Sequence, residues 1–129
     1  MSTYKEAIRY VQNAQEILSN KAKKEDRFYT DKKYVRMAGN TLWNGVLEAL
    51  DYRFPEIKKG KGRPDINKYK EKVAKVNPKM IRLVMNAYDT LHLAMGYDGN
   101  LKYSLAQEGI NDAIEIIEWA TENNENKKN

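Results

Sequence analysis

The side chains with the clearest chemical potential are a run of basic residues in the middle of the chain. Residues 53–79 contain ten Lys and Arg against three Asp and Glu, within a chain of 129 residues whose formal net charge is +5. Cationic side chains contact phosphates and release condensed counterions, so this run, next to Tyr69, could follow a nucleic-acid backbone. The predicted nucleic-acid-binding residues of segment 58–72 are Lys58, Lys59, Lys61, Arg63, Lys68, Lys70 and Lys72.

The same basic run has a second interpretation, a solvated lysine face that complements an acidic last helix. Lys outnumbers Arg here, and Arg is the side chain whose planar fork reads base edges. The sequence KKGKGRP also lacks the GxxxxGK[ST] spacing and the preceding strand of a phosphate-binding loop. These features favour the solvated face over nucleic-acid binding.

The single histidine, His92, is the one candidate for a general base. It follows Tyr88 by one helical turn, and Asp89 or Asp98 could orient it. A lone histidine beside an apolar face is more typical of a buried, hydrogen-bonded core residue. Because the chain has no Cys and one His, we predict no catalytic residue, no cofactor and no His- or Cys-based metal site, while a carboxylate site for a hard cation stays open.

Two ladders of polar residues follow helical spacing and form the other candidate site. If the two helices that carry them pack side by side, the ladders line a polar groove. The groove residues are Arg36, Asn40, Asn44, Arg82, Asn86, Asp89 and His92. The alternative is that each ladder is the ordinary exposed face of its helix. Met37 and Leu47 interrupt the polar side of the first of these helices, which predicts a dimer face.

Apolar residues recur at intervals of three and four, which predicts helices rather than strands. The helices are expected at about 3–19, 31–53, 65–76 and 77–95, with a fifth that follows a turn at 98–100 and ends near residue 122. Thr3 with Glu6 is the predicted capping box of the first helix, and Asp65 and Asn77 are predicted caps of the third and fourth. The fourth helix is apolar over more than half its circumference and is therefore expected at the centre. Phe28 and Tyr29 are expected to anchor the charged stretch 20–30.

These elements predict an all-α fold, a single-domain antiparallel bundle of about five helices over residues 1–122. Residues 123–129 are polar and predict a disordered tail. No apolar run approaches the roughly 18–20 residues of a membrane span. The first 20 residues carry four charges where a signal peptide would be apolar, so a cytoplasmic protein is expected.

The stretch KKYVRMAGNTLWNGVLEALDYRF, residues 32–54, resembles the second helix of HEPN domains in its pattern of small and aromatic residues. The later order, in which LVMNAYDTLHLAMGYDGN turns back into GINDAIEIIEWA, is also similar to that bundle. Over residues 3–121 the chain also resembles a small family of uncharacterised all-helical bacterial proteins. The HEPN resemblance implies an antiparallel bundle that is commonly dimeric and sometimes works with a nucleotidyltransferase partner.

Catalytic HEPN proteins cut RNA with an Arg and a His that are separated by four to six residues. His92 comes ten residues after Arg82 with no Arg between them, so the resemblance transfers no catalytic residue. We therefore expect a non-enzymatic cytoplasmic binding module that acts as a homodimer and binds an unidentified protein partner. The alternatives are a nucleic-acid-binding module that uses segment 58–72 and, third, a degenerate ribonuclease that uses Arg82, Asp89 and His92.

Overall fold

The computed structural model describes residues 2–59 and 65–122, which form a bundle of helices. Five α-helices succeed one another along the chain, two of them extended by wider π-helical turns. The helices are α1 (Thr3–Glu16) with a first π segment (Ile17–Ala22), α2 (Lys32–Arg53), α3 (Ile66–Val76), α4 (Met80–Ala87) with a second π segment (Tyr88–Met95), and α5 (Tyr103–Thr121). A 3-10 helix (Pro55–Lys59) follows α2. The predicted all-α bundle is confirmed.

A short hairpin interrupts the helical pattern where none was predicted. Strand β1 (Lys24–Glu25) pairs antiparallel with β2 (Phe28–Tyr29). Asp26 turns the chain between them with φ of 58°, a left-handed conformation that Asp tolerates better than most residues. The expected anchoring is correct for one ring, since Tyr29 is 4% exposed while Phe28 is 52% exposed.

Helix α2, rather than α4, is the centre of the bundle. It packs against α1, α5 and both π segments, and ten of its residues are buried. The expectation of a central fourth helix was wrong because the apolar circumference of α4 includes Met85, which is exposed. The apolar composition of one helix therefore did not predict how many other elements pack against it.

The helix ends show which cap predictions hold. Asp65 accepts from the amide of Lys68 at 3.3 Å, and Asn77 accepts from the amides of Lys79 and Met80 at 3.1 Å each, so both predicted caps are confirmed. At α1, however, the cap is Ser2, whose hydroxyl accepts from the amide of Lys5. The helix thus begins one residue earlier than a Thr3 capping box requires, and that prediction was wrong.

Across residues 2–59 and 65–122, none of the helices has the combination of length and apolar character needed to cross a bilayer. The polar tail predicted over residues 123–129 lies outside the described residues.

Candidate interaction face and binding cleft

The exposed side of α4 and the second π segment carries charged and apolar side chains on one stripe. The exposed residues between Met80 and Met95 are Arg82, Met85, Asn86, Asp89 and Leu93. Met85 is 41% exposed and Leu93 is 37% exposed, values high for large apolar side chains. Within the described parts of the chain, the side chains of Arg82 and Asp89 make neither an ion pair nor a hydrogen bond. We call these five residues the α4 face.

Arg36 and Asn40, the first two members of the predicted polar groove, fasten α2 to the chain just after the second π segment. Arg36 Nε donates to the carbonyl of Tyr97 at 3.1 Å, and Asn40 Nδ2 donates to that of Gly96 at 3.4 Å. Four further groove residues are exposed like Arg36 and Asn40 but lie away from these contacts, namely Asn44, Arg82, Asn86 and Asp89. The structure therefore brings together the α2 side of the groove and the backbone at 96–97, and leaves the α4 ladder on its own face.

His92 lies in an aromatic cluster. Its ring centroid is 5.2 Å from that of Tyr88 and 6.1 Å from that of Trp43. His92 Nδ1 is buried, and no group in the described residues forms a hydrogen bond with it. His92 is half-buried rather than part of the buried core, and the expected hydrogen bond is missing at Nδ1. A general base needs an orienting partner at this nitrogen, and Asp89 does not provide one.

The basic segment 58–72 is described only in part. Lys61 and Arg63 lie outside the described residues, as do the side chains of Lys58 and Lys59. The predicted lysines that α3 carries are Lys68, Lys70 and Lys72. Nζ of Lys72 lies 3.4 Å from a carboxylate oxygen of Glu56, so one of these charges is already paired within the chain.

Tyr69, which adjoins the basic residues in the alternative nucleic-acid interpretation, faces the core. It is 3% exposed, and its hydroxyl donates to Oδ1 of Asp51 at 2.6 Å. A base stacks on an exposed aromatic face, so the Tyr69 ring is not available for stacking. Tyr69 therefore adds nothing to the nucleic-acid interpretation, and binding through the lysines stays a prediction.

The two residues of the predicted dimer face lie in different environments. Met37 is 46% exposed, but Leu47 is 7% exposed and belongs to the core. Leu47 therefore cannot take part in an exposed apolar surface, and placing it there was wrong. Both residues interrupt a polar ladder, and the sequence does not show which of them a neighbouring helix covers.

A cleft of about 410 Å³ opens between the first π segment, the hairpin and α5. Its size falls within the roughly 300–1,000 Å³ of small-molecule sites. Its lining combines buried apolar side chains with amides, hydroxyls and one cation. The lining residues are Gln15, Leu18, Ser19, Lys24, Tyr29, Tyr103, Gln107 and Ile110. They come from positions up to 95 residues apart in the sequence. No spacing pattern reveals such a site, and it was absent from the sequence predictions.

Backbone hydrogen bonds hold the walls of this cleft together. The amide of Tyr29 donates to the carbonyl of Leu101 at 2.8 Å, and the amide of Tyr103 donates to that of Arg27 at 3.0 Å. These bonds tie the hairpin to the start of α5. On the other side, the hydroxyl of Thr30 donates to the carbonyl of Ala22 at 2.7 Å, which fixes the hairpin to the end of the first π segment.

The electrostatics of the cleft centre on two tyrosines and one lysine. Nζ of Lys24 lies 4.5 Å from the ring centroid of Tyr103, in a cation–π contact. Burial raises the pKa of the Tyr29 hydroxyl above its ordinary value of 10.0, a hydrogen bond with Gln107 opposes the rise, and the nearby Tyr103 adds to it. The Tyr29 hydroxyl is therefore protonated at neutral pH and can act as a donor.

The family model named Domain of unknown function (DUF5618) matches residues 2–122, nearly the whole described chain. The chain belongs to this family. It is also similar to the solved structure of a protein of unknown function from Dyadobacter fermentans, at 42% identity and a TM-score of 0.87, with 95% of this chain and 96% of that chain covered. No curated protein matches the sequence. The resemblance to a small uncharacterised helical family is confirmed, and that to HEPN domains is not.

The DUF5618 chain has an acidic last helix, and one carboxylate there gives a prediction about pH. Burial raises the pKa of Asp112 above its ordinary value of 3.8, and the neighbouring carboxylates of Glu108 and Glu115 raise it further. An acid whose pKa is raised by folding binds more protons in the native state than in the unfolded state. Its contribution to stability therefore falls as the pH rises from the ordinary pKa of 3.8 through the raised pKa of the folded protein. Asp112→Asn should therefore stabilise the protein near neutral pH.

We expect this gain in unfolding free energy to be small, at most about 0.5 kcal/mol, because the carboxylate is partly solvated. Urea unfolding of both proteins at a series of pH values measures it. The advantage of Asp112→Asn should vanish once the pH falls below the ordinary value of 3.8. Asp98→Asn makes the same change at an exposed site and is the control. An advantage that persists unchanged in acid would contradict the explanation.

Proposed function

We propose that this protein is a non-enzymatic interaction module that acts as a homodimer through its α4 face. The observation that carries the proposal is the pair of exposed, opposite charges Arg82 and Asp89, which have no partner in the described chain. Between them lies Met85, an exposed apolar side chain. A surface with unpaired charges of both signs around an apolar residue can complement itself.

The spacing along the helix suits a two-fold axis. Arg82 and Asp89 are seven residues, or about 10 Å, apart at 1.5 Å of rise per residue. No ion pair joins these two side chains within the described chain. If a second copy lies antiparallel, with the axis between residues 85 and 86, each Arg82 faces the second copy's Asp89. Cyclic dimers use the same patch on both subunits in this way, and the arrangement forms two equal ion pairs.

Apolar side chains complete the proposed contact. Met85 would lie near the axis, and Met is common at adaptable interfaces because its unbranched chain fills irregular gaps. Leu93, one turn beyond Asp89, extends the apolar area. The single histidine is consistent with a non-enzymatic role, since its ring packs against Trp43 and Tyr88 and no described group forms a hydrogen bond with its Nδ1.

A charge exchange tests this dimer directly. Arg82→Glu and Asp89→Arg should each raise the dimer dissociation constant by at least about tenfold, because each opposes like charges across the axis. The double variant should restore the dimer, since the pairs re-form with exchanged signs. Light scattering coupled to size-exclusion chromatography measures the result, with the wild type expected at twice the 15.0 kDa of one chain. Absorbance in the same run reports any nucleic acid carried by segment 58–72.

Tyr52→Glu is the matched control, because Tyr52 is 56% exposed and lies on α2, outside the α4 face. It should leave the dimer intact. Met37→Glu tests the rival surface on α2. A monomeric wild type would refute the homodimer. A dimer that only Met37→Glu disrupts would show that the interface lies on α2 and not on α4.

A further inference from the structure

The cleft between the first π segment, the hairpin and α5 has the features of a ligand site separate from the α4 face. We propose that it binds a small molecule with a flat apolar body and one carboxylate, and that Lys24 pairs with this carboxylate. The proposal does not depend on dimerisation, because no residue of the α4 face lines the cleft.

Charge is the first argument for an anionic ligand. Lys24 is the one ionised side chain among the described residues that line the cleft, and no carboxylate lies in this lining. Its ammonium contacts the ring of Tyr103 and no acidic side chain of the described chain. A site with one positive charge and no negative charge favours a ligand of charge −1.

The neutral lining is the second argument, and it concerns the body of the ligand. Leu18 and Ile110, which are 2% and 3% exposed, provide an apolar base, and the rings of Tyr29 and Tyr103 stand beside it with centroids 5.7 Å apart. An apolar base and aromatic walls suit a ligand whose body is a flat hydrophobic group. Gln15, Ser19 and Gln107 add neutral donors and acceptors that can orient a polar substituent.

Rigidity is the third argument. The three walls are joined by the backbone bonds of Tyr29 with Leu101 and of Tyr103 with Arg27, and by the Thr30 hydroxyl. Lys23 has φ of 55°, a conformation that costs free energy for a residue with a side chain, and it turns the chain from the π segment into the strand that bears Lys24. A preformed cleft loses little conformational entropy when a ligand binds.

Three naphthalene probes that share one ring system and differ in charge test the proposal by isothermal titration calorimetry on the full chain. They are 2-naphthoate, the neutral 2-naphthamide and the cationic 2-naphthylmethylamine. We expect 2-naphthoate to bind about tenfold more tightly than the amide, which corresponds to one charge-assisted hydrogen bond. The amine should bind most weakly, since Lys24 repels it.

Lys24→Met keeps most of the side chain's length and removes its charge. It should weaken 2-naphthoate binding about tenfold and abolish the preference for naphthoate over naphthamide. Lys21→Met is the matched control, because this exposed lysine does not line the cleft and its loss changes the net charge equally. Gln15→Trp, at an exposed position of α1, should fill the cleft and weaken both the naphthoate and the amide.

Several results would overturn the proposal. One is a dissociation constant above about 1 mM for all three probes. A second is equal affinity of the wild type for naphthoate and naphthamide. A third is an equal loss of naphthoate affinity in Lys24→Met and Lys21→Met. Tighter binding of the amine would show that the tyrosine rings accept a cation in place of the Lys24 ammonium. Unchanged naphthoate binding in Gln15→Trp would show that the probe binds elsewhere.

Discussion

Leu47→Glu should reduce the free energy of unfolding by about 4 kcal/mol or more, a large part of the roughly 5–15 kcal/mol that stabilises a typical domain. Leu47 is 7% exposed and belongs to the core of the bundle. The substitution removes buried methyl groups and places a carboxylate among apolar neighbours. Chemical denaturation followed by far-ultraviolet circular dichroism measures the loss.

Met37→Glu provides the matched control on the same helix. Met37 is 46% exposed, so the same charge meets solvent there and the change in unfolding free energy should stay within about 0.5 kcal/mol. The contrast tests the burial of Leu47 rather than helix propensity, because both variants place Glu inside α2. If Leu47→Glu remained as stable as Met37→Glu, Leu47 would not be buried in the core.

The helical fold was predictable because its information is local. Apolar residues at intervals of three and four gave the helices, and α2 begins within one residue of its predicted start and ends where it was predicted to. Asp65 and Asn77 were also predictable as caps, since a cap acts within three residues of its own position. The hairpin at 24–29 was missed because each of its strands has two residues, which is too short for an alternating pattern to appear.

The site residues were harder to predict, because exposure depends on which helices become neighbours. The ladder on α2 and the ladder on α4 look alike in the sequence. In the structure Arg36 and Asn40 bind the backbone at 96–97, whereas Arg82 and Asp89 have no described partner. The cleft is the extreme case, since the cation–π pair of Lys24 and Tyr103 joins residues that are far apart in the sequence.

The second large effect is expected at Gly39, where α2 and the second π segment make their closest approach. A Cβ atom at Gly39 would lie 2.6 Å from the amide nitrogen of Gly96, 2.6 Å from Cβ of Met95 and 2.7 Å from the carbonyl oxygen of Leu91. Gly96 N and Leu91 O are backbone atoms, which cannot rotate away as the end of a side chain can. Gly39→Ala therefore forces the two helices apart.

The same two backbone atoms hold the π turn closed. The amide of Gly96 donates to the carbonyl of Leu91 at 2.9 Å, the five-residue bond that defines a π-helix. A methyl group at Gly39 would press on both ends of this bond. The close approach and the π turn thus depend on each other, and the nearby contacts of Arg36 and Asn40 depend on both.

Alanine is the better helix former by up to about 1 kcal/mol, so the steric cost must exceed that gain. We expect Gly39→Ala to lose about 2 kcal/mol in net unfolding free energy, or roughly 8 °C in Tm. Gly45→Ala is the graded control on the same helix, because its Cβ would lie 3.0 Å from Cβ of Tyr10 and 3.1 Å from the carbonyl of Ala7. There a shift of a few tenths of an ångström suffices, so the change should stay within about 1 kcal/mol. Equal Tm values for the two variants would show that the approach at Gly39 is looser than 2.6 Å.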